Sequence, residues 1–383
     1  MTIRISSNFD SGAIEVVSVD RADDIRLRLR ADQGIEGDGA FRQWFHFRVH
    51  GGAGAALRMV FENASEAAYP DGWPGYRCVA SYDRRNWFRV SGTHYVDGQL
   101  VVEHTPERDS VYYAYFEPYS HERHLDLLGW AEMSPYASVS NLGATVDGRD
   151  LDVVTVGRPG PGKQPVWITA RQHPGESMAE WFVEGVLERL LDGADPVARK
   201  IREHAVLHIV PNMNPDGAFR GNLRTNAAGV NLNRAWREPD PLRSPEVHLV
   251  RQAMEASGVS LFLDIHGDEA LPYVFFSTAE EVPGFSDAQR ARQAEFVAAF
   301  EAASPDFQRE HGYLLGRFAE ELLTLASKWV AYRFGCVSLT LEMPFKDNAL
   351  LPDGLTGWNG ARSKRLGAAI LGPILRHVSA TGA

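Results

Sequence analysis

Residues 166–187 read VWITARQHPGESMAEWFVEGVL, and the fold follows from this stretch. Val166, Trp167, Ile168 and Thr169 are β-prone. His173-Pro174-Gly175-Glu176 then breaks the run, because Pro and Gly cannot continue a strand. After the break, Met178, Trp181, Phe182 and Val186 fall at helical spacing, with Glu176, Glu180 and Glu184 between them. A His thus ends a strand, and a Glu three residues later opens a helix. Both lie at the C-terminal edge of a sheet, where open α/β sheets bind ligands.

The same pattern recurs downstream. The apolar run Ser260 to Ile265 ends at His266-Gly267-Asp268. His173, Glu176 and His266 together supply two imidazoles and one carboxylate, the ligand set of a catalytic zinc site with a position left open. The run Ser338 to Leu341 delivers Glu342 to the same edge. There a carboxylate can take a proton from an activated water and pass it to a leaving amine. Between these motifs lie Gly221-Asn222-Leu223-Arg224 and Asn231-Leu232-Asn233-Arg234. One guanidinium can hold a substrate carboxylate and another an oxyanion.

At 383 residues the chain is long for one core, so two domains are expected, 1–124 and 125–383. The first part reads as short β-strands: Ile14 to Val19, Ile25 to Leu29, Trp44 to Val49, Ala56 to Phe61 and Val111 to Phe116. Their spacing predicts an antiparallel β-sandwich. The second part alternates. Strands at 151–156, 166–170, 205–210, 259–265 and 337–341 alternate with helices at 177–191, 244–255, 287–302, 314–327 and 362–378. That is an α/β domain with helices on both faces of a mostly parallel or mixed sheet.

A net charge of −11 argues against nonspecific binding to nucleic acid or anionic membranes. No apolar run approaches the ~18 residues of a membrane span. The N-terminal MTIRISSNFDSG lacks the pattern of a signal peptide, so the expected location is the cytoplasm. Two distant cysteines, Cys78 and Cys336, exclude a disulfide scaffold. Nothing in the sequence fixes the oligomeric state.

His173-Pro174-Gly175-Glu176-Ser177, Asn214-Pro215-Asp216-Gly217, Asn231-Leu232-Asn233-Arg234, Asp264-Ile265-His266-Gly267 and Thr340-Leu341-Glu342 occur in this order. In this the chain resembles the zinc carboxypeptidase family. The β-rich N-terminal part, with Trp44 to Val49 and Tyr115-Phe116-Glu117-Pro118-Tyr119, resembles the cytosolic carboxypeptidase branch in its bacterial form. The resemblance implies a carboxypeptidase-like mixed eight-stranded sheet preceded by a β-sandwich. It implies one Zn²⁺ on His173, Glu176 and His266, with Glu342 as general base. It further implies that Arg224 polarises the scissile carbonyl and that Asn233 and Arg234 hold the terminal carboxylate of a peptide or protein tail. Asn231 stands where the family often has an Asp that orients a zinc-bound imidazole. The tyrosine that closes over substrate in pancreatic-type members has two candidates, Tyr313 and Tyr332.

In relatives that remove acidic residues, a cation in the side-chain pocket precedes the strand of the general base. Lys328 and Arg333 are the cations available here, which gives the expectation of a preference for C-terminal Glu or Asp. Two other functions are compatible with the motifs. One is a zinc amidase or deacylase acting on N-acyl amino acids or cell-wall peptides. The other is a peptide-binding module that keeps the fold without the chemistry.

Overall fold

A computed structural model describes residues 2–34, 41–314 and 316–380. The N-terminal part forms two five-stranded sheets. One runs Arg4–Ser6, His46–His50, Ser110–Ala114, Val79–Ser81, Phe88–Arg89 and is antiparallel throughout. The other runs Glu15–Arg21, Asp24–Arg28, Leu57–Phe61, Gln99–His104, Gly92–Val96. It is antiparallel except where Asp24–Arg28 lies parallel to Leu57–Phe61. The alternation of Phe45, Phe47 and Val49 puts all three into the core between the sheets. Phe45 meets Phe61 of the opposite sheet at 4.8 Å between ring centres.

The catalytic sheet has seven strands among the described residues, one fewer than the eight expected. Its order is Ala137–Ala144, Asp150–Val156, Ala205–Val210, Gln164–Ala170, Leu261–Asp268, Val337–Pro344, Phe275–Ser277. Beyond the last edge strand, pairing is reduced to a single bridge between Val274 and Phe307. The four central strands are parallel and the outer ones antiparallel. From Gln164–Ala170 the chain first adds a strand on one side and then Leu261–Asp268 on the other. This makes the C-terminal ends of those two strands the topological switch point, where a crevice opens.

The helix Met178–Leu190 is buried on nearly all sides. Glu180 is buried; it receives a hydrogen bond from the Arg171 guanidinium at 2.8 Å and pairs with His124 at 2.6 Å. On another side Gly185 lies against the helix Gly360–Ala369. A Cβ on Gly185 would sit 2.0 Å from the Lys364 carbonyl oxygen, and one on Gly367 would sit 2.0 Å from that of Phe182. Alanine gains about 1 kcal/mol of helix propensity over glycine. Forcing two packed helices apart costs about 1–3 kcal/mol. Gly185→Ala and Gly367→Ala are therefore each expected to destabilise the protein, read as a lowered midpoint in urea. An unchanged or raised midpoint would mean that the helices are not in contact here.

Two helices differ from the sequence expectation. In place of one over 314–327, a 3-10 turn at Ala319–Thr324 leads into the helix Ala326–Phe334. In place of one helix over 362–378 there are two, Gly360–Ala369 and Leu371–Ala380. Pro373 accounts for the second difference: it has no N–H to donate, and its ring crowds the carbonyl of Ala369.

The N-terminal part is tied to the catalytic part by buried contacts. The Arg89 guanidinium donates to the carbonyls of Phe345 (2.7 Å) and Trp358 (2.9 Å). Tyr115 stacks on Phe345 with ring centres 4.7 Å apart.

Candidate active site

The strand Gln164–Ala170 ends in a sharp turn at Arg171, whose φ of 58° is left-handed and uncommon for a side-chain-bearing residue. The Arg171 side chain is buried and offsets this locally. It donates to the Pro174 carbonyl at 3.0 Å, the Tyr119 carbonyl at 2.9 Å and Glu180 at 2.8 Å. The loop 171–176 is thereby folded back over the strand ends, bringing His173 and Glu176 toward His266 on the neighbouring strand.

His173 Nδ1 and Glu176 Oε1 are 2.7 Å apart, and His266 Nδ1 and Glu176 Oε2 are also 2.7 Å apart. The two Nδ1 atoms face each other at 3.1 Å. Each imidazole is held from behind: His266 Nε2 lies 2.9 Å from Asp264 Oδ2, and His173 Nε2 lies 3.1 Å from Asn231 Oδ1. With a proton on each Nε2, both Nδ1 lone pairs point into one small space. Two such lone pairs and a carboxylate oxygen repel one another, and a cation between them removes the repulsion. The three ligand atoms lie within 4.8 Å of one another, and all three residues are buried. The donor set is thus chemically suited to Zn²⁺.

The electrostatics call for positive charge at this point. Burial disfavours a charged His266, but the carboxylates of Asp264 and Glu176 outweigh it and raise its pKa well above the ordinary value. Burial works against ionised Glu176, yet the two imidazoles hold its pKa below the usual carboxylate range. For His173 burial wins, aided by the charge of Arg224, and its pKa is pushed down to about 3. A metal binds the neutral imidazole and the ionised carboxylate, so His266 would give up its proton on binding.

Glu342 is the register partner of His266 on the next strand, which brings its side chain to the same edge. It is 7 % exposed, and its Oε2 has no hydrogen-bond partner. Burial raises its pKa well above the ordinary value; His266 opposes the shift, and Glu176 and Asp268 add to it. Arg224 donates to Glu176 Oε1 at 3.3 Å, and its guanidinium lies 5.4 Å from the centre of the Tyr69 ring. Asn233 accepts the Ala326 N–H at 2.8 Å and turns its amide nitrogen toward His266, 3.5 Å away. Arg234 pairs with Glu321 and lies over Phe318. Glu342, Arg224, Asn233 and Arg234 line one cavity of about 140 Å³ with His173 and Glu176.

Lys328 also lines this cavity, although its ammonium donates to the Thr278 carbonyl and lies 3.8 Å from Glu281. Arg333 is not brought to the site: it is on the exposed side of the helix Ala326–Phe334, bonded to Glu255 at 2.7 Å through two nitrogens. Of the two tyrosine candidates, Tyr313 is at the site, donating to Asp268 Oδ2 at 2.6 Å with Glu342 Oε1 3.2 Å away. Tyr332 is 54 % exposed and does not line the cavity. Arg84, Arg85 and Trp87 line a different cavity with Asp10 and His46.

Several lining residues escaped the sequence reading: Tyr69, Asp268, Glu269, Arg317 and Phe318. Asp268 and Glu269 were accessible in principle, because they directly follow His266-Gly267. Tyr69 carried no signal. It comes from the N-terminal part, beside the turn Pro70–Gly72, where a Cβ on Gly72 would sit 2.9 Å from the Glu269 carbonyl oxygen.

Solved structures place this geometry. A metallo-carboxypeptidase from Burkholderia cenocepacia is 56% identical, with a TM-score of 0.96 over 99% of this chain and 100% of that one. A metallo-carboxypeptidase from Pseudomonas aeruginosa, in complex with (2-guanidinoethylmercapto)succinic acid, is 44% identical, with a TM-score of 0.94 over 99% and 100%. The fold is that of the metallocarboxypeptidases, which are peptidase hydrolases. Residues 128–356 match the family model for zinc carboxypeptidase, and residues 5–116 match the model for the cytosolic carboxypeptidase N-terminal domain. The chain belongs to the zinc carboxypeptidase family, whose members act on peptide C-termini. Cytosolic carboxypeptidase 6 of Mus musculus is 30% identical over 261 residues, 60% of this chain, and the match spans about half (47%) of that protein. Among the described residues no helix is long and apolar enough to cross a membrane.

Proposed function

We propose that the protein is a zinc-dependent exopeptidase that removes the C-terminal residue of peptides or protein tails in the cytoplasm. Residues 125–383 carry the chemistry, and residues 1–124 form a β-rich domain packed against them. The observation that carries this reading is the pair of inward-facing Nδ1 atoms, 3.1 Å apart, with Glu176 bridging them and Glu342 beside them. His173, Glu176 and His266 would hold one Zn²⁺. When bound, zinc supplies Lewis acidity and lowers the pKa of a water to about 7.

The remaining steps belong to the protein's own groups. Glu342, with an unpartnered oxygen, takes the proton of the attacking water and delivers it to the leaving amine. The Arg224 guanidinium polarises the scissile carbonyl and holds the oxyanion as charge develops. Asn233 and Arg234 bind the terminal carboxylate, Arg234 exchanging its pairing with Glu321 for the substrate. Tyr313 closes the wall next to Glu342.

The test is release of amino acids from a mixed peptide set, with zinc-loaded protein and with chelator. Loss of one C-terminal residue that stops with chelator is the expected result. No release from peptides, with turnover of N-acyl amino acids, would transfer the site to the amidase reading.

Lys328 is buried and lines the cavity, which supports a preference for acidic C-terminal residues. A charge-assisted hydrogen bond is worth about 1.5–3 kcal/mol. Lys328→Met is therefore expected to lower kcat/KM for Glu-ending peptides by about 10- to 100-fold and to leave Phe-ending ones nearly unchanged. A second reading, release of basic residues, is favoured by Glu281 beside Lys328 and by the guanidino group of the ligand in the P. aeruginosa relative. Faster release of Lys or Phe than of Glu by the unaltered enzyme would sink the acidic preference.

A further inference from the structure

Arg224 stands in a segment, residues 221–226, that belongs to no helix or strand. Its backbone is nevertheless fixed, and the fixing group comes from the other end of the chain. Asp32 is 4 % exposed. Its Oδ1 accepts the Leu223 N–H at 2.6 Å. Its Oδ2 accepts the Arg224 N–H at 2.8 Å, the Thr225 N–H at 2.9 Å and the Thr225 hydroxyl at 3.0 Å. Three consecutive backbone amides thus converge on one buried carboxylate.

The neighbours of Asp32 reinforce this. The Gln33 N–H donates to Asn222 Oδ1 at 2.9 Å, and the Asn222 amide returns a bond to the Gln33 carbonyl at 3.2 Å. Arg30 donates to the Arg220 carbonyl at 2.6 Å. Residues 30–33 therefore grip residues 220–225 along their length. The N-terminal part also reaches the other end of the Arg224 side chain, because the Tyr69 ring lies against its guanidinium.

We propose that Asp32 is a positioning residue for Arg224, so that the N-terminal part completes the oxyanion-binding half of the active site. The inference rests on the role given to Arg224 in the proposed function. A carboxylate is the one side chain that suits the place. It accepts at both oxygens, whereas an amide presents two N–H donors to a cluster of N–H donors. An Asn at 32 that keeps its oxygen on the Arg224 side must set its NH₂ against the Leu223 N–H. The turn then shifts, and a displacement of about 1 Å at a group that stabilises a transition state costs roughly 10²-fold in rate.

The experiment uses the full zinc-loaded chain with Asp32→Asn, and Asp32→Ala beside it. Two readouts are taken. The first is amide hydrogen exchange at Leu223, Arg224 and Thr225, which does not depend on turnover. Exchange there is expected to speed by at least about tenfold in Asp32→Asn, with the core strands unchanged. The second is steady-state kinetics on the N-acylated dipeptide that the unaltered enzyme cleaves fastest. There kcat is expected to fall about 10- to 100-fold with KM nearly constant. Asp32→Asn combined with Arg224→Ala should be no slower than Arg224→Ala alone. If Asp32→Ala does not fold, the isosteric Asn variant still decides. Unchanged protection at 223–225, or rate losses that multiply in the double variant, would overturn the proposal. An unaltered enzyme that cleaves none of the dipeptides would defeat the exopeptidase reading, and the exchange result would still decide whether Asp32 positions Arg224.

Discussion

Glu342→Gln is expected to lower kcat by about 10²- to 10⁴-fold while zinc content stays at the level of the unaltered protein. The substitution keeps the shape of the side chain and removes only its ability to accept a proton. Its surroundings tolerate the exchange. Glu342 Oε1 is within 3.2 Å of the Tyr313 hydroxyl, a contact that an amide oxygen can keep. The other oxygen has no partner to lose. The three residues that would hold metal are left as they are. Metal analysis and steady-state kinetics on the same preparation check this. Near-normal turnover with full zinc would remove Glu342 from the base position. Loss of zinc together with turnover would make it a ligand instead.

The second large effect is at His266. His266→Ala leaves one imidazole and one carboxylate, and two ligands hold zinc poorly. Zinc content is expected to drop from near one per chain to near zero after dialysis, and activity to fall with it by more than about 10³-fold. The fold should survive the change, because the buried carboxylates released by His266 keep other donors. Asp264 still receives hydrogen bonds from the Thr169 hydroxyl at 2.9 Å and the Gln172 amide at 2.7 Å. Glu176 still has His173, the Gly267 N–H at 3.1 Å and Arg224. Circular dichroism separates the two possibilities. A folded apoprotein is the expected result; full zinc occupancy in the variant would place the metal elsewhere.

The parts of the site legible in the sequence are those fixed by local rules. His173, His266 and Glu342 each follow a β-prone run and Glu176 opens the helix after the first, so their place at one sheet edge could be read from the chain alone, although the strands of His266 and Glu342 run on to Asp268 and Pro344. What brings them within hydrogen-bond distance is the order of strands, which no local signal encodes. The segment 311–325 shows the limit. Its apolar and acidic residues read as a helix over 314–327, whereas among the described residues a 3-10 turn at Ala319–Thr324 precedes a helix that starts at Ala326. The preceding residues supply Tyr313 to the cavity. Arg333 and Lys328 were equal candidates in sequence. They are five residues apart on one helix, so they point in different directions, and only Lys328 faces inward. Asp32 and Tyr69 could not have been found, because their partners lie more than a hundred residues away.

The strand that carries Glu342 continues through Pro344 into Phe345, whose ring stacks on Tyr115 and whose carbonyl receives Arg89. Glu342 and the joint to the N-terminal sheets are therefore three residues apart on one length of backbone. Movement of one part against the other at this joint would carry Glu342 with it.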